Sequence, residues 1–220
     1  MRLKSIAAVL AAVVFAGAAG AQSIAGDLGT SGVGLEVGFG VNPYLGVRGT
    51  YGAGSYSYSY TESDIRYDAK AKPNIGMAIL DVHPFGGVFR LSGGMAYNDT
   101  RIEGTADSVN GTFVINGVTY NTAQVGTVEG EIHFEQAAPY LGFGWGNAAK
   151  SAPGFFFTSD FGVLFSKASG SVTGTCAPTL APPICANLQS DLQAEAAEFK
   201  REVEKVKYYP ILRIGVGYRF

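Results

Sequence analysis

The stretch that decides the fold is Tyr208-Tyr-Pro-Ile-Leu-Arg-Ile-Gly-Val-Gly-Tyr-Arg-Phe220. Because successive side chains of a strand point to opposite faces, its apolar residues share one face. They are Leu212, Ile214, Val216, Tyr218 and Phe220. The other face carries arginine and glycine. An apolar lipid-facing row, a small or polar lumen row and an aromatic residue at the membrane boundary are the layout of a transmembrane β-barrel strand.

The first residues predict export. A short basic start at residues 1–4 precedes an apolar core at 6–15, and Ala19-Gly20-Ala21 fits a small-residue cleavage site. We therefore expect residues 1–21 to be a secretory signal peptide and residues 22–220 to form one barrel domain. A membrane-spanning helix is the rejected alternative, because it needs about 20 consecutive apolar residues.

The composition of the chain fits the same class. The 31 glycines suit a small-residue lumen face, and the 12 tyrosines and 14 phenylalanines suit the aromatic girdles of a barrel. The formal net charge of −2 argues against a nucleic-acid partner. A secreted β-sandwich is the alternative, but its strands would carry more charge on their solvent face.

Alternation recurs in seven segments, which are residues 33–39, 45–51, 75–83, 89–97, 140–145, 157–165 and 208–220. Segment 75–83 is apolar on both faces, so its register is ambiguous. Bacterial single-chain barrels have an even number of strands, so an eighth must come from residues 23–29 or 171–176. We prefer 23–29, because the long connections at 52–65, 99–128 and 167–207 then all face outside. The predicted fold is an all-β, antiparallel transmembrane barrel of about eight strands with long loops.

Two insertions carry local signals. Residues 112–120 hold Asn116-Gly117 between β-branched runs, which predicts a hairpin above the membrane. Cys176 and Cys185 lie close together in an exported chain and are expected to form one disulfide. No histidine lies near them, so we do not expect a metal site.

Residues 188–206 change to helical spacing and predict one short amphipathic helix. Its apolar stripe comprises Leu188, Leu192, Ala196, Phe199, Val203 and Val206. Ser190 with Gln193 resembles a capping box at its start. We interpret the helix as packing on the barrel rim, in preference to a lid or a partner-binding helix.

The signal peptide, the alternating strands and the terminal Gly215-Val-Gly-Tyr-Arg-Phe220 together resemble the small outer-membrane β-barrel proteins of Gram-negative bacteria. This class includes the OmpA-type barrel domains and the OmpW-like proteins. The stretch Phe39-Gly-Val-Asn-Pro-Tyr-Leu-Gly-Val-Arg48 is similar to its strand–turn–strand units. The resemblance implies export through the periplasm to the outer membrane and contact with its lipid and lipopolysaccharide. It also implies that the barrel-assembly machinery reads the terminal strand, here through Val216, Tyr218 and Phe220.

Five charged residues fall on inward faces in these registers: Glu36, Arg48, Arg90, Asp160 and Arg213. Opposite charges buried together are normally paired. One interpretation is a salt-bridge network that plugs the barrel, and the other is a polar constriction that passes small solutes. The lumen of eight strands is just wide enough for side chains to fill.

The chain has two histidines, His83 and His133. His83 lies beside Asp81 near a predicted periplasmic turn. His133 shares a strand face with Glu131 and Glu135, which is compatible with a general base. No nucleophile can be placed by spacing, and no phosphate-loop or metal motif occurs. We therefore predict no enzymatic activity, no cofactor and no metal.

Two functions follow from this fold. The first is a passive channel or uptake route for small solutes. The alternative is a structural or surface-interaction barrel with a plugged lumen that presents extracellular loops. We expect a monomer. A continuous wet lumen would favour the channel, and interlocked arginine–carboxylate pairs would favour the plugged barrel.

Overall fold

The computed structural model describes residues 22–62, 65–108, 111–121, 125–146, 152–176 and 180–220. The predicted signal peptide lies outside the described residues. The strands are β1 (Gln22–Gly29), β2 (Gly32–Asn42), β3 (Leu45–Ala53), β4 (Tyr56–Glu62), β5 (Ile65–Lys72), β6 (Asn74–Val82), β7 (Phe89–Asn98), β8 (Arg101–Ser108), β9 (Thr112–Ile115), β10 (Val118–Asn121), β11 (Val125–Phe134), β12 (Ala137–Trp145), β13 (Gly154–Leu164), β14 (Ala168–Cys176) and β15 (Tyr209–Arg219), and the helix is α1 (Pro182–Val203).

Eight strands close a barrel in the order β1-β15-β13-β12-β7-β6-β3-β2, and all neighbours are antiparallel. Closure comes from β1 and β15, where Ile24 lies opposite Tyr218. The predicted eight-stranded antiparallel barrel is confirmed, and the eighth strand is the 23–29 candidate. Residues 171–176 instead belong to β14, which lies outside the barrel.

The two ends of the barrel differ. The long connections from β3 to β6, β7 to β12 and β13 to β15 all leave from one end, here called the loop end. The other end, the turn end, carries the short connections at residues 43–44 and 83–88. The extra strands of the long connections form a five-stranded sheet in the order β14-β11-β8-β5-β4. This sheet, the β9–β10 hairpin and α1 are together called the head.

The predicted hairpin is confirmed as β9–β10. Asn116 and Gly117 have φ values of 50° and 76°. Two consecutive residues with positive φ are what a two-residue type I′ turn requires, and Asn-Gly is its preferred sequence.

The helix differs from its prediction at both ends, because it ends at Val203 and leaves Val206 outside it. It begins at Pro182, so Ser190 lies inside it, and the predicted capping box is wrong. The N-cap is Ala181, which makes no side-chain cap, and Pro182 supplies the φ of the first turn. The Cys176–Cys185 disulfide is confirmed, with 5.7 Å between the Cα atoms. It ties the start of α1 to the end of β14.

The stripe of α1 packs on the head sheet rather than on the barrel rim, so that part of the interpretation is wrong. Leu188, Leu192 and Val203 are buried. Leu192 lies over Gly174, and Phe199 and Val203 lie over Gly170. The reason is that β14 extends above the barrel, and its glycines Gly170 and Gly174 leave room for the apolar side chains of α1. The sequence pattern did not show that these glycines lie under the helix.

The outside of the barrel carries apolar side chains between two aromatic girdles, as a lipid-facing surface does. The loop-end girdle contains Tyr51, Tyr97, Phe165 and Tyr208, and the turn-end girdle contains Tyr44, Phe85, Trp145, Phe155, Tyr218 and Phe220.

In the described part of the chain, no helix is both long and apolar enough to cross a membrane.

Candidate functional site: the barrel lumen

The lumen is filled by two layers of side chains. The layer toward the turn end, called the charged layer, consists of Asp27, Glu36, Arg48, Asp81, Arg90, Asp160 and Arg213, each at most 4% exposed. Strand alternation points these side chains inward, because their neighbours on the same strands are the lipid-facing residues. Seven ionisable groups are thus held out of water, which is stable only if they pair.

Asp160 on β13 is the centre of the charged layer. Its carboxylate accepts hydrogen bonds from Arg48 Nη2 at 2.9 Å, Arg90 Nη2 at 2.9 Å and Arg213 Nη2 at 2.6 Å. One carboxylate therefore bridges guanidiniums from three different strands. Such charge-assisted bonds are about twice as strong as neutral ones.

Arg48 on β3 is the most connected cation. Besides Asp160, it donates to Glu36 Oε2 through Nη1 at 2.5 Å and to Asp81 Oδ1 through Nη2 at 3.0 Å. Its Nε also donates to Asp81. Ser92 Oγ donates to Asp81 at 2.6 Å and fixes the carboxylate from the other side. The planar fork of the guanidinium, with donors in fixed directions, makes this many-partner arrangement possible.

The other two arginines tie the layer to the barrel wall. Arg90 donates to the carbonyl oxygen of Gly146 at 2.8 Å and to Thr158 Oγ1 at 2.9 Å. Arg213 donates to Glu36 Oε2 at 3.0 Å, and its Nη1 lies 3.8 Å from Asp27 Oδ2. The Asp27 contact is an ion pair without a hydrogen bond.

The layer toward the loop end, called the apolar layer, consists of Ile75, Met77, Ile79, Ala96, Ala138, Tyr140, Leu164 and Ile211, with Tyr209 packed against it. Tyr140 on β12 is buried in this layer. Its ring lies against Gly142 and Gly162, where a Cβ atom would collide with it. Glycine at these two positions therefore lets an aromatic side chain lie flat inside a narrow barrel.

All five lumen residues expected from the sequence lie in the charged layer. Two further members, Asp27 and Asp81, were missed. Asp27 lies in β1, which the sequence offered only as a candidate strand. Asp81 lies in the segment with ambiguous register, and the pairing of Gly46 with Asp81 is what turns it inward. A carboxylate inside an otherwise apolar strand was the available signal.

The three residues expected to serve as an assembly signal lie at the turn end. Val216 and Tyr218 point outward from β15, and Phe220 follows the strand and is exposed. Tyr218 packs edge to face against Phe155 and Phe220, with ring centroids 5.1 and 5.5 Å away. Tyr218, Phe155 and Phe220 therefore form one aromatic cluster on the lipid-facing surface.

The two histidines lie apart. His83 is buried at the turn end, with Nδ1 3.1 Å from the carbonyl oxygen of Phe89. His133 is in the head, with Nε2 3.1 Å from Glu131 Oε1, and both side chains are about 40% exposed. Among the residues that the structure describes, no group of three or more potential ligands could hold a metal ion.

A closed antiparallel barrel with an apolar exterior and a charged interior defines a transmembrane β-barrel of the kind found in bacterial outer membranes. Its fold is similar to that of Acinetobacter baumannii CarO2, with a TM-score of 0.61, 20% identity, and coverage of 91% of this chain and 98% of that one. Acinetobacter baumannii CarO is also similar, with a TM-score of 0.58, 21% identity, and coverage of 90% and 97%. At these identities the likeness shows the fold. No family model and no curated protein matches the sequence.

Proposed function

We propose that this protein is a closed outer-membrane barrel that presents its head at the cell surface and does not conduct solutes. The observation that carries the proposal is the pair of stacked layers in the lumen. Interlocked arginine–carboxylate contacts were the feature expected of a plugged barrel. A wet, continuous passage was the feature expected of a channel.

The cost of separating buried ion pairs also favours a closed barrel over a channel. Removing one partner from a buried ion pair costs about 3–5 kcal/mol, because the other charge is left uncompensated. A solute that passed the charged layer would have to separate several such pairs centred on Asp160. It would then have to displace Tyr140 and its apolar neighbours. A passive channel therefore requires both layers to rearrange.

The head supplies the presented surface. Its outward sheet face carries alternating charges and hydroxyl groups, including the Lys72–Glu103 pair at 2.5 Å. The Glu103 side chain is partly exposed, and its hydrogen bond from Lys72 lowers the pKa of its carboxyl group. The face therefore stays charged at neutral pH, which keeps it hydrated and suits contact with polar partners.

Single-channel recording tests this function. The refolded mature chain, residues 22–220, is expected to be silent in a planar bilayer. A variant with Arg48→Ala, Asp81→Ala and Tyr140→Ala removes one balanced ion pair and the largest side chain of the apolar layer. This variant serves as the positive control and is expected to admit small ions. Discrete, reproducible openings of the unmodified chain would contradict the proposal and restore the passive channel.

We also propose that the chain is exported through the periplasm and that the assembly machinery reads Val216, Tyr218 and Phe220. An exposed aromatic cluster beside the barrel seam between β1 and β15 supports this role. Deleting Phe220 is expected to lower the folded yield in the outer membrane. Phe85→Ala is the control, because Phe85 is an exposed aromatic residue at the turn end that lies outside the terminal strand. An equal yield for both variants would remove the role.

A further inference from the structure

The charged layer of the lumen does not balance. It contains four carboxylates and three guanidiniums, each at most 4% exposed, so its formal charge is −1. His83 lies close to Asp81, but burial lowers the pKa of its imidazole. His83 is therefore neutral at neutral pH and does not supply the missing positive charge. Because a buried charge without a counter-charge is costly, one more cation would stabilise the layer.

The excess negative charge is located at Asp27. Its two carboxylate oxygens accept no hydrogen bond from the described residues, and its ion-pair partner, Nη1 of Arg213, is 3.8 Å away. Arg213 instead donates through Nη2 to Asp160 at 2.6 Å and to Glu36 Oε2 at 3.0 Å. The arginines therefore leave Asp27 without a hydrogen-bonded counter-charge.

Further unpaired oxygen atoms lie on the same side of the lumen as Asp27. Two arginines donate to Oε2 of Glu36, whereas Oε1 accepts no hydrogen bond in the described part of the chain. The hydroxyl groups of Thr50 and Ser31 are also buried and have no hydrogen-bond partner among the described side chains and backbone. Buried polar atoms are normally paired, so a group of unpaired oxygens indicates a ligand that they share.

The register of β2 and β3 creates the space for such a ligand. Glu36 is directly opposite Thr50, and the neighbouring pair on the same face is Gly34 with Gly52. Side chains of directly opposed residues are about 5 Å apart, so Glu36 and Thr50 lie within reach of one small ion. The two glycines add no side chain beside them.

Asp27 and Ser31 enter this space from β1 and from the turn that joins β1 to β2. Asp27 Oδ1 lies 2.6 Å from the position that a Cβ atom of Gly34 would take. Ser31 Oγ lies 2.9 Å from the corresponding Cβ position of Gly52. The carboxylate and the hydroxyl therefore lie over adjacent glycines, next to the Glu36 side chain. Asp27, Ser31, Glu36 and Thr50 are together called the oxygen cluster.

We propose that the oxygen cluster binds one sodium ion. Carboxylate and hydroxyl oxygens are hard ligands, which suit hard cations rather than transition metals. One monovalent ion neutralises the charged layer, whereas a divalent ion would leave it with a charge of +1. Two carboxylates and two hydroxyls differ from a group of three or more histidine, cysteine, aspartate or glutamate ligands, of which the described ranges contain none. Such hydroxyl ligands on separate strands form no sequence motif.

Urea unfolding of the refolded mature chain in detergent tests the site. Sodium chloride is exchanged for N-methyl-D-glucamine chloride at constant total chloride, so that only the small cation varies. An ion that binds the folded state alone lowers the unfolding equilibrium constant in proportion to its concentration, once that concentration exceeds the dissociation constant. We expect the constant to fall about tenfold for each tenfold rise in sodium, which is the slope of a single site.

Two variants remove one ligand each and keep the side-chain shape. Asp27→Asn is expected to abolish the sodium dependence and, because it removes the excess charge, to be more stable than the unmodified chain in the glucamine salt. Thr50→Val is expected to shift the dependence to higher sodium concentrations, and Thr50→Ser, which keeps the hydroxyl, is expected to retain it.

Ser23→Ala is the matched control. Ser23 also carries a buried, unpaired hydroxyl on the lumen side of β1. It is four residues from Asp27 in the same strand, a distance of about 13 Å, so it lies outside the oxygen cluster. This variant is expected to keep the full sodium dependence. Heat-modifiable migration on a gel checks that every variant is folded.

Three outcomes would overturn the proposal. Equal unfolding curves in the sodium and glucamine salts would leave buried water as the partner of the oxygens. An unchanged sodium dependence in Asp27→Asn would place the ion elsewhere. A dependence on calcium but not on sodium would replace the monovalent ion with a divalent one. Channel silence is recorded separately, so each of these results leaves the proposed function standing.

Discussion

The side chains of the barrel strands and of the head strands alternate between two faces in the same way, but the outward face meets lipid in the barrel and water in the head. On β11 and β12 the even-numbered residues share one face throughout, from Ile132 in the head to Tyr140 in the barrel. The odd-numbered face begins with Glu131 and His133 in the head and continues with Leu141 in the barrel. The outward face is therefore charged above the girdle and apolar below it.

Strands β7 and β8 show the same change from an apolar to a charged outward face. Leu91 and Tyr97 face lipid, and Arg101 and Glu103 continue that face in the head. The strands cross the membrane boundary without changing face, and only the chemistry of the residues changes. Alternation fixes which side chains share a surface, and the surrounding solvent fixes what those side chains must be.

The largest expected difference concerns buried and exposed charges. Asp160→Ala leaves three guanidiniums without their common acceptor in the lumen and is expected to lower the free energy of unfolding by about 3–5 kcal/mol. Glu131→Ala removes an exposed partner in the head and is expected to cost about 0–1 kcal/mol. Urea unfolding of the refolded protein in detergent measures both. Similar losses would show that the lumen pairs are not desolvated.

The second prediction places one charge on the same outward face in each region. Leu80→Arg puts a guanidinium against hydrocarbon and is expected to destabilise the barrel by about 2–4 kcal/mol. Thr173→Arg puts it on the exposed face of β14, where Glu129 is the cross-strand neighbour. That change is expected to be near neutral. Unfolding in lipid vesicles measures the difference, and a neutral Leu80→Arg would place residue 80 outside the hydrocarbon.

The third prediction isolates the head. Gly170→Ala puts a methyl group 2.8 Å from the ring of Phe199 and is expected to cost about 1–3 kcal/mol of helix packing. Gly130→Ala, on the same sheet face, meets open space. Limited proteolysis within α1 is expected to accelerate for the first variant only. Equal cleavage rates would mean that the close packing of α1 on Gly170 does not stabilise the helix.

The smallest effect is a pH dependence confined to the head. The Tyr120 hydroxyl donates to Asp191 at 2.5 Å, and Asn116 Nδ2 donates at 3.1 Å. These bonds lower the pKa of the Asp191 carboxyl group. The stabilisation is therefore fully present above the unfolded-state pKa of aspartate, about 3.9, and is lost as the pH falls through the lower folded value.

Acidification is expected to loosen the contact between α1 and the hairpin while the barrel stays folded. Hydrogen exchange of the β9–β10 amides measures this loosening. Asp191→Asn is expected to flatten the pH response, and Glu198→Gln, an exposed substitution on the same helix, is expected to leave it unchanged. A response that persists in Asp191→Asn would assign it to another group.

Much of this architecture could be predicted because period-two patterns are local. The terminal strand, the Asn116-Gly117 turn and the disulfide each depend on residues close together in the chain. The register of β6 could not be predicted, since Ile75, Ile79 and Leu80 leave both of its faces apolar. Its inward face is apolar because it fills the lumen, and its outward face is apolar because it meets lipid.

The start of α1 was missed for a related reason. Residues 182–187 carry no strong helical stripe, and the first turn is held by a proline and by a cystine that reaches a separate strand. The five lumen charges were placed on inward faces by alternation alone. Which charges pair with each other could not be predicted, because the partners are distant in the sequence: Asp160 and Arg48 are 112 residues apart.

The sequence by itself determined that the chain alternates toward lipid, that it turns at Asn116-Gly117 and that its cysteines can join. These properties are encoded by neighbouring residues. Only the tertiary structure decided that β1 closes on β15, that β14 joins the head and that seven charges converge in one layer. These features depend on contacts between strands that are distant in the sequence. A membrane offers no water to the backbone N–H and C=O groups, so every strand must pair with a neighbour, and closing the barrel brings the distant strands together.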